Sequence, residues 1–229
     1  MCSIQAVPAV NAPKEIANVV ATPLSAPAYW AEACKHLVKK DRVMKRLIPQ
    51  YAGQALQTRG DAFVTLARSI VGQQISPKAA QALWSRVSAL PPSMTPEQLL
   101  RLKVDDMRAA GLSARKVDYL VDLAVHFTEG RLHTDQWATM GDEAIIAELM
   151  AIRGVGRWTA EMFLIFYLMR PNVLPLDDAG LISGISKNYF SGDPVSRSDA
   201  REVAEAWKPW CSVATWYIWR SLDPQPVAY

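Results

Sequence analysis

Residues 149–161 read Leu149-Met150-Ala151-Ile152-Arg153-Gly154-Val155-Gly156-Arg157-Trp158-Thr159-Ala160-Glu161, and this stretch decides the fold. An apolar helix end at about Ala151 meets two glycines, Gly154 and Gly156. A second apolar helix then runs through Phe163, Leu164, Phe166 and Leu168. Glycine reaches positive φ and lets backbones approach closely, which a tight turn between two helices needs. With both glycines in the turn, the amides of residues 155–158 point outward at the start of the second helix. Unpaired amides and the positive end of the helix dipole together make a seat for a phosphate. Such a seat grips the backbone of a nucleic acid and ignores its sequence. A lone Gly-x-Gly is equally the mark of a plain helix C-cap. Arg157, Thr159 and the apolar run behind them favour the phosphate seat.

Outward from this hairpin the pattern is helical almost throughout from Tyr29. Ser76-Pro77 predicts an N-cap with proline at the first helical position. Thr95-Pro96-Glu97-Gln98 adds a capping-box glutamine to the same arrangement. Ser113 opens a helix whose stripe is Leu112, Val117, Leu120 and Ala124. Ser198 is expected to cap another, and Pro209 to start the last. No stretch alternates like a strand, and no Asn-Gly or Asp-Gly hairpin is present. The expectation is an all-α fold of about nine to eleven helices of ordinary length. Residues 1–26, rich in Ala, Pro and Val, read as a loosely ordered tail or an arm on the domain, leaving 27–229 as the folded unit.

Bulk composition bounds the function. The chain has 229 residues, half of them hydrophobic, and a net charge of +3. It is long enough for one large domain or two small subdomains, and its mild basicity permits a polyanionic partner without demanding one. Cys2, Cys34 and Cys211 are widely spaced and odd in number, which argues against a disulfide framework, a zinc site or an iron–sulfur cluster. A reducing, cytoplasmic setting fits them. No apolar run is long enough to span a bilayer. His36, His126 and His133 lack metal-ligand spacing. The basic run Lys35, Lys39, Lys40, Arg42, Lys45 and Arg46 reads as a solvated helix face.

The hairpin segment resembles the signature of the helix-hairpin-helix base-excision glycosylases, and specifically their alkylated-base (3-methyladenine) branch. Leu174-Pro175-Leu176-Asp177-Asp178 resembles the superfamily's Gly/Pro-Asp element, and Asp178 stands 20 residues after Trp158, the separation that branch keeps. Val71-Gly72-Gln73-Gln74-Ile75-Ser76, Gly111-Leu112-Ser113-Ala114-Arg115-Lys116 and Ala206-Trp207-Lys208-Pro209-Trp210 extend the likeness in order, from about Tyr29 to Asp223. The resemblance implies a glycosylase fold of two helical subdomains with the active site in a cleft between them. It also implies a monomer acting on double-stranded DNA that carries alkylated purines.

Its residue roles follow. Asp178 is the catalytic carboxylate, stabilising positive charge on the sugar as the base departs and orienting the attacking water. Asp177 is structural; on the residues alone, either aspartate could instead cap the helix starting near Ala179. Where bifunctional relatives carry a Schiff-base lysine the chain has Trp158, so base release would leave an abasic site intact. Trp158 and Met162, one turn apart, would wall the base pocket, with a cation–π attraction of about 0.5–2 kcal/mol for a cationic alkylpurine. Family members send residues matching Gln73, Gln74 and Leu112 into the minor groove as plug and wedge; Leu112 fits a hydrophobic staple equally well. Arg115 and Lys116 either touch phosphate or cover a solvated face. Gly154, Gly156, Arg157 and Thr159 would hold the phosphate. No cofactor is required, although backbone carbonyls of Met150, Ile152 and Val155 match those that hold Na⁺ or K⁺ in the superfamily. Cys211 stands where relatives commonly carry a basic residue. On these residues a non-catalytic DNA-binding relative, or a glycosylase for another damaged base, remains open beside the alkylpurine reading.

Overall fold

Short polar side chains start most of the helices. In the computed structural model, which describes residues 26–58 and 61–223, seven N-cap side chains accept a backbone amide from the helix they open: Asp41, Asp61, Ser76, Thr95, Ser113, Asp178 and Ser196. The expected tail falls almost wholly outside these residues. The order is α1 (Trp30–Lys40), α2 (Arg42–Leu47), a 3-10 turn (Ile48–Tyr51), α3 (Ala62–Gly72), α4 (Pro77–Ser88), α5 (Pro96–Leu100) and α6 (Val104–Ala109). There follow α7 (Ala114–Thr128), α8 (Asp142–Met150), α9 (Arg157–Phe166), α10 (Ala179–Tyr189), α11 (Arg197–Glu205) and α12 (Cys211–Leu222). No strand occurs among the described residues.

Three expectations need correction. Twelve α-helices, rather than nine to eleven, lie among the described residues, because α2, α5 and α6 are pieces of five or six residues that periodicity does not resolve. The cap of α11 is Ser196, which forms a complete capping box with Asp199, so Ser198 falls inside the helix. The last helix starts at Cys211 rather than Pro209, whose peptide bond to Lys208 is cis. Ser76 and Ser113 cap α4 and α7 as their sequences predict. Thr95 accepts from the Gln98 amide at the head of α5.

The helices fall into two groups. Helices α3 to α9 pack around α3 and α7, while α1, α2, α10 and α11 gather on or beside α12. Gly184 allows α10 to lie directly on α12, since a Cβ there would come within 2.3 Å of Ile218. The first group ends in the hairpin α8–α9, and α9 also leans on α3. The chain then crosses to α10 through residues 167–178, so the start of α10 stands at the seam between the groups.

Candidate active site and nucleic-acid interface

The hairpin turn is built around Gly154. Its φ is +84°, and a Cβ there would meet the Tyr119 ring at 2.1 Å, so no other residue fits without moving that ring. The Val155 amide closes the turn onto the Ile152 carbonyl at 3.1 Å. Helix α7 braces the turn. Asp122 accepts from the Arg153 amide at 2.8 Å and meets its guanidinium at 3.1 Å. Burial pushes the Asp122 carboxyl up, but those bonds outweigh it and hold it below the usual carboxylate range. From the other side Gln73 donates its amide N–H to the Gly154 carbonyl at 2.9 Å. Gly156 caps α9 with no side-chain bond, which leaves the first amides of that helix without intrahelical partners.

The residues expected to touch DNA divide into two kinds. Gln74 and Ile75 are exposed, and Gln74 holds φ at +60°. A non-glycine residue in that region costs about 1–3 kcal/mol and is found most often where function needs it. Gln73, by contrast, is spent on the hairpin. Leu112 is 3% exposed; it precedes the Ser113 cap and lies in the core with Val117, so it matches the staple and not a surface wedge. Ile75, at 39% exposed, is the apolar side chain that this corner presents. Arg115 is exposed on α7, whereas Lys116 gives its ammonium to the Val71 and Gln73 carbonyls at 2.7 and 2.9 Å, neutralising the C-terminus of α3. Arg157 is held by Glu143 on two nitrogens and by Glu161 at 3.1 Å. The Thr159 side chain is buried. Arg157 and Thr159 therefore present backbone, and not side chain, to a phosphate at the helix start.

Asp178 lies at the seam, 7% exposed. It is itself the N-cap of α10: Oδ1 accepts the Leu181 amide at 2.6 Å. Two indoles converge on the same carboxylate. Trp219 of α12 donates to Oδ1 at 2.8 Å, and Trp158 of α9 donates to Oδ2 at 2.8 Å. One indole comes from each helix group. Asp177, the other aspartate that could have capped this helix, pairs with Arg197 at 2.5 Å and is 44% exposed. Asp178 therefore caps α10 and, with the same carboxylate, receives both indoles.

Around this carboxylate the walls are apolar and aromatic. Phe166 stacks on Trp219 with ring centroids 5.7 Å apart. Met162 is buried one turn after Trp158. Trp219, Asp122 and Tyr119 were not singled out by the sequence; a tryptophan forty-one residues beyond the acid carries no local signal. Among the described residues no group of three or more His, Cys, Asp or Glu side chains is placed to hold a metal ion. No described helix is long and apolar enough to cross a membrane.

Comparison with known proteins identifies relatives along most of the chain. Residues 67–210 match the family model described as HhH-GPD superfamily base excision DNA repair protein. DNA-3-methyladenine glycosylase 1 of Schizosaccharomyces pombe is 31% identical over 193 residues, covering 81% of this chain and 85% of that protein. The crystal structure of a DNA-3-methyladenine glycosidase from Bacillus halodurans superposes with a TM-score of 0.77 at 35% identity, covering 83% of this chain and 89% of the other. The Schizosaccharomyces pombe 3-methyladenine DNA glycosylase, solved in complex with abasic DNA, gives a TM-score of 0.73 at 30% identity, covering 83% and 96%.

Proposed function

The chain belongs to the HhH-GPD superfamily of base excision DNA repair proteins, and from that premise we propose that it hydrolyses the N-glycosidic bond of alkylated purines in double-stranded DNA. The observation that carries the reading is the Asp178 carboxylate. It is buried beside the hairpin, fixed by three N–H donors, and has one oxygen, Oδ2, with a single partner among the described residues. Three donors hold the group immobile, and the less occupied oxygen is left for the reacting sugar. As the glycosidic bond lengthens, positive charge gathers on the deoxyribose, and a pre-oriented carboxylate stabilises it with no reorganisation at the moment of reaction. The same carboxylate orients water onto the anomeric carbon.

An N3- or N7-alkylated purine is already cationic, so it leaves without a strong general acid, and the aromatic wall of Trp158, Trp219 and Phe166 favours a cation over a neutral base. Trp158 occupies the hairpin position where a lysine would form a covalent intermediate, so the product is an intact strand with an abasic site. The Val155 amide is taken up by the Ile152 carbonyl, so the amides of residues 156–158 are the ones that hold a backbone phosphate. Gln74 and Ile75 serve as plug and wedge in the minor groove while the target nucleotide is turned out. The backbone carbonyls of Met150, Ile152 and Val155 would hold Na⁺ or K⁺. Ile152 accepts only the Val155 amide there and keeps a free lone pair, and the ion would supply positive charge for the same phosphate. The buried free thiols Cys34 and Cys211 fit a monomer working in the cytoplasm, with the nucleoid.

The test is chromatographic identification of bases freed from methylated duplex DNA. Release of 3-methyladenine or 7-methylguanine is expected. Binding of the duplex without release of any base would assign the chain to damage recognition and withdraw the hydrolysis.

A further inference from the structure

Arg220, on α12 next to Trp219, is a buried cation without a counter-ion among the described residues. It is 4% exposed, and its Nε and Nη1 have no hydrogen-bond partner among the described residues. Nη2 donates to the Gln54 amide oxygen, and no ion pair among the described residues includes it. Its guanidinium carbon lies 5.4 Å from the Tyr51 ring centroid and 5.5 Å from that of Trp216. Two aromatic rings offset part of the cost of burying a charge, but they satisfy no N–H. An orphaned guanidinium is expensive, and a site that keeps one is arranged for an acceptor that comes and goes.

The identity of that acceptor follows from the guanidinium fork. Nη2 belongs to both planar faces of the group, side-on with Nε and end-on with Nη1. Gln54 therefore fills the place of one oxygen of a bidentate oxyanion, and the second place is empty on either face. Gln54 itself is exposed, in an irregular segment that follows Gly53 at φ +78°, so its side chain can swing away into water. The neighbour in sequence, Trp219, holds the carboxylate that faces the sugar in the proposed function. We propose that Arg220, flanked by Tyr51 and Trp216 and stoppered by Gln54, is a subsite for a phosphate oxyanion. It rests on the glycosylase reading only for its source, the backbone phosphate of the nucleotide drawn to Asp178; free inorganic phosphate offers the same oxygens.

The experiment follows the Arg220 Nε–H resonance of the full chain, assigned by its loss in Arg220→Lys. The titrants are inorganic phosphate, a duplex with an abasic-site analogue and an undamaged duplex. The resonance is expected to move saturably with phosphate and with the abasic duplex, and less with the undamaged one. Gln54→Ala is expected to bind inorganic phosphate about threefold more tightly, because the competing acceptor is gone. A resonance that stays still with phosphate and with both duplexes overturns the subsite, as does a Gln54→Ala protein with unchanged or weaker phosphate affinity. Movement with phosphate alone keeps the subsite and assigns it to the free anion. Base release from methylated DNA by the unmodified chain is measured alongside. Release with a silent resonance sinks this inference alone, and a moving resonance without release sinks the glycosylase reading alone.

Discussion

Asp41 and Asp178 are built alike. Each is a buried aspartate that caps a helix, 8% and 7% exposed, and each takes an indole N–H from a tryptophan distant in sequence. Their remaining partners differ. Asp41 Oδ1 accepts two amides of α2, at 2.7 and 2.9 Å, and Oδ2 accepts the Tyr189 hydroxyl at 2.8 Å and the Trp207 indole at 3.2 Å. Its four acceptor positions are filled from α2, α10 and the Trp207 loop, and it locks those elements together. Asp178 has three donors, and its Oδ2 takes only Trp158 among the described residues. Burial and capping are common to both acids; what separates Asp178 is its unused acceptor capacity beside the hairpin, the feature on which the proposed chemistry rests.

Substitutions can break that comparison. Asp178→Asn keeps an oxygen for the cap and removes the charge. It is expected to lower base release by about a thousandfold with duplex affinity nearly unchanged, measured by single-turnover kinetics and by a binding isotherm. Retained turnover would end the distinction between the two acids. Asp41→Ala leaves two amides and the Tyr189 hydroxyl proton unanswered, while the Trp207 indole keeps the Tyr189 oxygen at 3.2 Å. A loss of about 3 kcal/mol in urea unfolding is expected, with normal turnover in the folded fraction.

Finer tests sharpen it. Gly154→Val forces a Cβ into Tyr119 and a side chain into a left-handed backbone. Affinity for damaged and undamaged duplex should fall together by about tenfold or more; loss confined to damaged DNA would move the phosphate seat elsewhere. The smallest effects come from the indoles. Trp158→Phe should reduce base release by about tenfold, the worth of one hydrogen bond to a carboxylate. Trp207→Phe should cost about 1 kcal/mol of stability and leave release untouched. Equal kinetic effects of the two would mean that both carboxylates serve only the fold.

Local signals were read well from the sequence, and distant ones were not. Ser76 and Ser113 announced their helices because a cap is decided within four residues. Ser196 was missed for Ser198 because two serines two apart both sit before an amphipathic run, and only the reciprocal bond to Asp199 selects one. The short helices α2, α5 and α6 are too brief to show a period. Leu112 was assigned a surface role through its place in a motif; its burial depends on α7 closing over it.

The sequence by itself determined that the chain is helical, that two glycines turn one helix into the next, and that an aspartate follows the hairpin tryptophan at a fixed interval. All of these are decided by spacing along one or two neighbouring elements. Only the tertiary structure decided that Asp178 caps α10 while two indoles converge on its carboxylate. It alone brought Trp219 onto the carboxylate from the far end of the chain, spent Gln73, Lys116 and Arg157 inside the protein, and left Arg220 buried without a counter-ion among the described residues. Hydrogen-bond capacity is a property of atoms within about 3 Å of each other. For residues far apart in sequence, only the folded chain brings them to that range.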